Sequence, residues 1–508
     1  MLLSQCIHHL FKLLEAGHSF DIPPNLVETR LPIIFTQILT KLLREQEPDG
    51  SWGTRSSHEE TAYALIALKC VSSTHWTPTI SSKAEKSILK ATAFLEQRSH
   101  KWRQADYLWI EKVTYCSPDL SQAYCMAALR FPSPQQEDTL KSFPKVSLEA
   151  IEKYKGFFHS LPLFRDTPEW LLQLSITESF IFRSQLKNQH IDIFPQRESH
   201  TQKYLDYIPI TWVAINNTLV TNLDNNSLYE MMELSIINFQ ADEYMEATIT
   251  PLFQDNLKPI RDMIISFKTA SGTQINGDLN SGFSESMKVS ITQVREVLSK
   301  FISHIMEREK VQQAPTSIQQ ELRASLITFL LAHISQIEDN KRLHKQSELS
   351  SSYNIHALPQ KSYFNWVSTT SAEHTSCPFS FLFFQCMISS KKGRDTPHTS
   401  RQKYLLDSIC RHLATMCRQY NDYGSVARDH AEGNLNSVDF LNGEVDAVKK
   451  QDLMWLAEYE REHLVLALTR LNGIITKEVM EKLRLFIDVT DLYGQIYVAK
   501  DIGIWTKA

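Results

Sequence analysis

The stretch SLYEMMELSIINFQADEYMEA, residues 227–247, is the clearest guide to the fold of this 508-residue chain. Its apolar residues recur at intervals of three and four, which is typical of an α-helix with one buried face. The same intervals recur in residues 59–71 (EETAYALIALKCV), 147–158 (SLEAIEKYKGFF) and 463–471 (HLVLALTRL). Glycine, which disfavours helices, is scarce at 14 residues. The sequence therefore predicts an all-α fold.

The overall composition is that of a globular protein and bears on two classes of partner, nucleic acids and membranes. Hydrophobic residues make up 42% of the chain, charged residues make up 22%, and the net charge is -5. A broad nucleic-acid interface requires a basic surface, so no nucleic-acid partner is expected. The sequence has no run of about 18 apolar residues, so no membrane span is expected either.

The cysteines and the N-terminal segment bear on the compartment. Eight cysteines are scattered along the chain without a C-x-x-C pair. This pattern is typical of reduced thiols rather than of a disulfide framework or a zinc site. The first residues, MLLSQCIHHLFKLLEAG, lack the basic region and the long apolar core of a secretory signal. A cytoplasmic location is therefore expected.

The length of the chain predicts two or three domains. Residues 160–170, SLPLFRDTPEW, combine a proline-containing break with the start of a new helical pattern. We therefore expect a first helical domain over residues 1–160 and a second over residues 161–508.

An acidic motif, DEYME, lies at the end of the apolar pattern of residues 227–247. On a helix Asp242 and Glu246 share a face, and Glu243 lies one residue round from it. Carboxylates that project together into an apolar interior repel one another unless cations bridge them, and hard oxygen ligands suit Mg²⁺. Taken alone, the motif also fits a solvated helix face.

A second oxygen-rich element, NDYGSVARD, occupies residues 421–429. Asn421, Ser425 and Asp429, the triad, are spaced four apart and fall on one face of a helix, about 6 Å apart along its axis. Their amide, hydroxyl and carboxylate oxygens could hold a further Mg²⁺, and Arg418 one turn earlier offers a fork of donors suited to a diphosphate. The two elements together predict two metal-binding helices that face each other across one pocket.

Several longer stretches resemble a known family. Residues 204–217 (YLDYIPITWVAINN), 229–247, 421–440 and 486–502 resemble the class I domain of terpene synthases, most closely that of the fungal bifunctional diterpene cyclases. Residues 46–53 (QEPDGSWG) resemble the QW-type motif of the β domain of terpene cyclases, and residues 108–124 resemble another part of that domain. The resemblance covers nearly the whole chain. It implies a class I helical bundle preceded by a truncated α/α-barrel β domain.

The resemblance also implies roles for individual residues. Asp242, Glu243 and Glu246 occupy the place of the family's aspartate-rich motif, and the triad occupies the place of its second metal motif, so that three Mg²⁺ ions are expected. The residues expected to take part in ionising the substrate are Asp242, Glu246 and Arg418. Arg418 is also expected to bind the isoprenyl diphosphate, and the aromatic residues expected either to line the hydrocarbon cavity or to be ordinary core are Trp212, Phe239 and Tyr244.

The sequence departs from the family pattern in ways that shape the expected reaction. No DxDD motif of a class II centre occurs in the 508 residues, so protonation-initiated cyclisation is not expected. Asp429 stands where the triad usually has Glu, and Glu432 is an alternative ligand. DExxE stands in place of DDxxD, and the likeness of residues 437–446 ends at Phe440.

The resemblance implies a lyase of diterpene biosynthesis, a class I synthase. It would convert copalyl or geranylgeranyl diphosphate to a kaurene-like or pimaradiene-like hydrocarbon, and a separate class II cyclase could supply the copalyl diphosphate. A substrate of another prenyl chain length, a catalytically inactive truncated cyclase and a non-catalytic partner subunit are the alternatives.

Overall fold

A computed structural model describes residues 1–500 of the chain except 19, 54, 111–112, 134–139, 142, 189–190, 196–203, 222, 254–255, 269–284, 350–360, 390–398 and 442–445. The chain forms two compact units, Met1–Gln189 and His190–Ala508. Both units are built from helices, which confirms the predicted all-α fold. In the described part of the chain, no helix combines the length and the apolar character that a bilayer crossing requires.

The first unit is a set of helices with one small hairpin. An antiparallel pair of three-residue strands, Leu108–Ile110 and Val113–Tyr115, forms the hairpin. Ser and Thr side chains cap several helix starts by accepting a backbone N–H, as Ser57 and Thr77 do. The main helices are Leu2–Glu15, Leu31–Glu45, His58–Val71, Pro78–Gln97, Pro118–Arg130, Leu148–Ser160 and Glu169–Asn188.

The segment of residues 46–53 ties successive helices of the first unit together. The Gln46 side-chain amide donates to the carbonyl oxygen of Ser87 at 2.9 Å, in the helix Pro78–Gln97. The buried Trp52 donates its indole N–H to the carbonyl oxygen of Leu42 at 3.0 Å. The turn is therefore fixed at both ends by side-chain hydrogen bonds to neighbouring helices.

The units divide at residue 189, whereas the sequence placed a domain boundary at residue 160. The break after residue 160 is a connection inside the first unit, because the following helix, Glu169–Asn188, packs on the helix Leu31–Glu45. The Gln37 amide donates to Glu178 Oε1 at 2.6 Å across this contact. The proline-containing stretch therefore separates two helices that share one core.

The second unit carries the longer helices. Three of them are named here for the residues that they carry: the acidic helix (Asn225–Tyr244), the histidine helix (Thr316–Leu349) and the triad helix (Ser400–Glu432). A π-helical turn, Met245–Ile249, continues the acidic helix, and another precedes Ala372–His374. The remaining helices are Ile208–Leu219, Thr250–Phe253, Lys258–Ser266, Glu285–Met306, Glu309–Gln313, Tyr363–Trp366, Cys377–Ile388, Asp446–Leu471 and Lys477–Ala499.

Aromatic side chains fill the core of the second unit. The ring of the buried Trp212 lies 6.4 Å from that of Phe384 and 6.3 Å from that of Phe486. Phe381 adds an edge-on contact with Phe486 at 5.4 Å between ring centroids. Large rings packed in this way bury much apolar area and hold the helices around them in fixed positions.

Two glycines allow the triad helix to lie unusually close to the helix Lys477–Ala499. A Cβ added at Gly424 would lie 2.3 Å from the carbonyl oxygen of Tyr497, and one added at Gly494 would lie 2.4 Å from Cδ2 of Tyr420. The first of these contacts is with backbone, which cannot turn aside. The position of the triad helix therefore depends on the absence of a side chain at residue 424.

This close contact predicts that Gly424→Ala destabilises the protein by about 1–3 kcal/mol, the usual cost of overpacking a core. Gly156→Ala is the matched control, because it lies in the helix Leu148–Ser160 with no atom within 4 Å of the added Cβ. There the alanine should add roughly 0.5–1 kcal/mol of stability through helix propensity. Denaturant unfolding of both variants measures the difference, and equal stabilities would contradict the proposed constraint.

Candidate active site

The second unit contains a cavity of about 450 Å³ that is lined by several of its helices. The acidic helix contributes one wall, on which the lining changes along the chain from Met231 and Leu234 to Asp242 and Glu243. The triad helix and Lys477–Ala499 contribute further walls, and the latter supplies Phe486. The cavity therefore combines apolar and aromatic surface with a concentration of charged groups.

Most of the residues singled out in the sequence meet at this cavity. The acidic motif lines it with all three carboxylates, and the triad helix lines it with a guanidinium, an amide and a carboxylate. Two of the three predicted aromatic residues also line it. The residues in question are Asp242, Glu243, Glu246, Arg418, Asn421, Asp429, Trp212 and Phe239.

Ser425 and Tyr244 lie elsewhere in the structure, since neither is among the lining residues. The buried Ser425 hydroxyl donates to Asp429 Oδ2 at 2.6 Å. The Tyr244 ring packs against Phe194, with 5.4 Å between centroids. Ser425 thus contacts the cavity only through Asp429, and Tyr244 is part of the core.

The Asp429 carboxylate is held by its neighbours. Besides Ser425, the Asn436 side-chain amide donates to Asp429 Oδ2 at 2.7 Å. The other oxygen, Oδ1, lies 3.8 Å from Nε of Arg428. Glu432 also lines the cavity and accepts a hydrogen bond from the Asn434 amide at 3.1 Å. Both acids, Asp429 and Glu432, are therefore placed as potential ligands.

Removal from bulk water disfavours the negative charge of two of the three carboxylates, those of Asp242 and Glu246. Burial raises the pKa of Asp242, and the Glu243 carboxylate adds to this effect while Arg418 opposes it. Burial also raises the pKa of Glu246, and the charge of Asp242 raises it further. A divalent cation between these oxygens would relieve the mutual repulsion, so the donor set fits Mg²⁺.

Arg418 is fixed in the lining by a buried ion pair that the sequence did not single out. Its Nε lies 2.7 Å from Oδ1 of Asp422, one helical turn later, and Asp422 is fully buried. The other carboxylate oxygen of Asp422 accepts hydrogen bonds from the Ser437 backbone N–H at 2.9 Å and from its hydroxyl at 2.6 Å. The guanidinium also lies over the ring of Trp366, 5.8 Å from its centroid. The four-residue spacing of Arg and Asp was the available signal.

Sequence reasoning also missed other lining residues, of which three bear on the chemistry. Arg428 supplies a second guanidinium, and Tyr204 stacks on Phe239 with centroids 3.8 Å apart. His374 also lines the cavity, from the helical turn Ala372–His374. Tyr204 lay inside a stretch that already carried the family resemblance. Nothing in the spacing of His374 pointed to this cavity.

Comparison with known proteins extends these observations. No family model matches the chain. It is 33% identical, over 99% of its length, to a pimaradiene synthase of Emericella nidulans and to an ent-kaur-16-ene synthase of Fusarium fujikuroi. It is 26% identical, over its whole length, to a bifunctional premutilin synthase of Clitopilus passeckerianus.

The chain spans about half the length of these relatives: 54% of the pimaradiene synthase, 55% of the ent-kaur-16-ene synthase and 54% of the premutilin synthase. The likeness extends over nearly all of its residues and accompanies an all-α fold. We conclude that this chain belongs to the terpene synthase family.

Proposed function

We propose that the chain is a Mg²⁺-dependent class I diterpene synthase. It ionises copalyl or geranylgeranyl diphosphate, cyclises the hydrocarbon chain to a kaurene-like or pimaradiene-like diterpene and releases diphosphate. The observation that carries this proposal is the charge of the cavity. Five carboxylates and two guanidinium groups are among its described lining residues, and their negative excess would repel a diphosphate unless divalent cations entered with it.

Each oxygen-rich element has a place in this proposal. The residues that would hold Mg²⁺ are Asp242, Glu243 and Glu246 on one side, and Asn421, Ser425 and Asp429 on the other. When bound, the metal supplies positive charge that stabilises the departing diphosphate. To hold the ion, the Ser425 hydroxyl would have to leave its hydrogen bond to Asp429.

Arg418 supplies the fixed positive charge. Because Asp422 pairs with Arg418 and is itself held by a hydrogen bond from Ser437, the guanidinium is oriented before substrate arrives. Preorganised charge of this kind stabilises the transition state without a cost of reorganisation. Arg428, on the same helix, adds a second donor for the phosphate oxygens.

The apolar part of the lining suits the second stage of the reaction. Ionisation leaves an allylic carbocation that water would quench, so the wall must exclude water and present π-faces to the positive charge. Trp212, Phe239 and Phe486 line the cavity, and the stack of Tyr204 on Phe239 keeps that ring in place. The contour of these rings is proposed to select the folded form of the chain.

The chain covers 54% of the pimaradiene synthase relative. The proposal therefore includes the question of which enzyme makes the substrate. A separate class II cyclase would supply copalyl diphosphate if that is the substrate, whereas geranylgeranyl diphosphate would need none. The alternative, an inactive truncated cyclase or a non-catalytic partner subunit, predicts no diphosphate release from either compound. Supplying the two compounds separately and analysing the hydrocarbon products by gas chromatography distinguishes these cases.

Replacing Asp242 by Asn tests the metal-binding role. The amide keeps the shape of the side chain but removes its charge, so diphosphate release should fall by about 100-fold or more, the usual loss on removal of one strong transition-state contact. Chelation of Mg²⁺ should abolish release, and added Mg²⁺ should restore it. Asp119→Asn, at an exposed acid of the first unit, is the matched control and should retain activity. Wild-type rates in Asp242→Asn would refute the role.

Replacing Arg418 by Lys tests the bidentate contact. Lysine keeps the charge but loses the fork, so kcat/KM should fall about ten- to hundredfold, in line with the 1.5–3 kcal/mol of a hydrogen bond to a charged group. Arg461→Lys is the control, because Arg461 pairs with the buried Asp491 in the same unit but is not a lining residue. It should affect stability alone. A similar loss of kcat/KM in both variants would remove the special role of Arg418.

A further inference from the structure

Two buried histidines adjoin the acidic motif. His333 comes from the histidine helix and His374 from the turn Ala372–His374, and their rings lie 4.0 Å apart between centroids. One ligand atom from each, together with a carboxylate oxygen of Asp242, forms a group in which all three atoms lie within 4.8 Å of one another. Neither histidine has a role in the proposed synthase reaction.

In this cluster, one ring nitrogen of His333 lacks a hydrogen-bond partner among the described residues. Its side chain is 2% exposed, and none of the described protein groups hydrogen-bonds to its Nε2 atom. The nearest acid oxygen, Oδ1 of Asp242, is 3.5 Å away. A buried ring nitrogen without a hydrogen bond is costly, so a native structure usually provides a partner for it. A metal ion between Nε2 and the carboxylate would be such a partner.

Packing holds the two rings in position for a metal ion. Both histidines are buried. Edge-on contact with Phe329, 4.7 Å between centroids, holds the His333 ring in place.

We propose that Asp242, His333 and His374 form a binding site for one divalent transition-metal ion of the Zn²⁺ or Co²⁺ class. Two imidazole nitrogens and one carboxylate are the ligand set that these ions prefer, whereas Mg²⁺ prefers oxygen alone. A second cavity, of about 470 Å³, is lined by His333, His374 and Glu246 and leaves room for a water ligand and for entry of the ion.

The new site shares Asp242 with the proposed magnesium ligands. An ion held by the histidines would withdraw that carboxylate from the Mg²⁺ set, so Zn²⁺ should inhibit turnover by competing for it. This consequence rests on the proposed function, whereas the binding of the ion does not. The two are therefore tested separately.

The test is a titration of the full chain, stripped of metal by a chelator, with Zn²⁺ followed by calorimetry and with Co²⁺ followed by its visible d–d absorption. Excess Mg²⁺ is present and prenyl diphosphate is absent. The expected result is one ion per chain. The affinity for the ion should fall by at least about tenfold in His333→Asn. Loss of a residue that only supports a metal ligand already lowers metal affinity by about that much, and His333 is proposed as a ligand itself.

A second histidine pair in the same unit provides the matched control. His412 and His463 lie 5.4 Å apart, but Nδ1 of His412 is already hydrogen-bonded to Glu460 at 2.6 Å. The variant His412→Asn should therefore bind the ion as the wild type does. Unchanged affinity in His333→Asn, or equal loss in His412→Asn, would overturn the assignment.

Because His333 is buried, its variant is compared with Asp242→Asn, whose side chain is 42% exposed and less critical for folding. Thermal unfolding establishes that each variant is folded before titration. Loss of binding in folded Asp242→Asn supports the site, and full binding there overturns it. Since no substrate is present, a negative result leaves Mg²⁺-dependent diphosphate release unaffected, and failure of that release leaves this titration unaffected.

Discussion

Repulsion between carboxylates that line one cavity is the constraint on which the second unit depends. Asp242 and Glu246 stand one helical turn apart, and Asp429 faces the same cavity from another helix. Removal from bulk water raises the pKa of Asp242 and of Glu246, and a neighbouring carboxylate raises each pKa further. The fold must hold these groups together against that repulsion, and it does so by fixing the helices that carry them.

The fixing is done by packing and by one buried ion pair. Gly424 brings the triad helix against the backbone of Tyr497, so that the helix cannot shift without losing the contact. Asp422 forms an ion pair with Arg418 and accepts a hydrogen bond from the backbone N–H of Ser437. One π-helical turn carries Glu246, and another immediately precedes the turn that carries His374. Turns of this kind are frequent at functional sites.

Much of the fold could be predicted from local periodicity. A helix is formed by residues that are close in sequence, and the spacing of its apolar residues identifies its buried face. The four-residue spacing likewise placed Asp242 with Glu246 and Asn421 with Asp429. Spacing could not show that Ser425 turns to Asp429 instead of the cavity, since that choice depends on hydrogen-bond partners. Spacing also could not predict that His333 lies next to Asp242, which is 91 residues earlier in the chain. Nor could it show that the helix after residue 160 packs on the first unit.

The most direct test of the central claim is the binding of inorganic diphosphate, measured by calorimetry with and without Mg²⁺. If the carboxylates of both helices hold cations that in turn hold the anion, diphosphate should bind only when Mg²⁺ is present. Both Asp242→Asn and Asp429→Asn should weaken that binding. Binding of the same strength in the presence of a chelator would contradict the account, because the negative cavity would then accept the anion without metal.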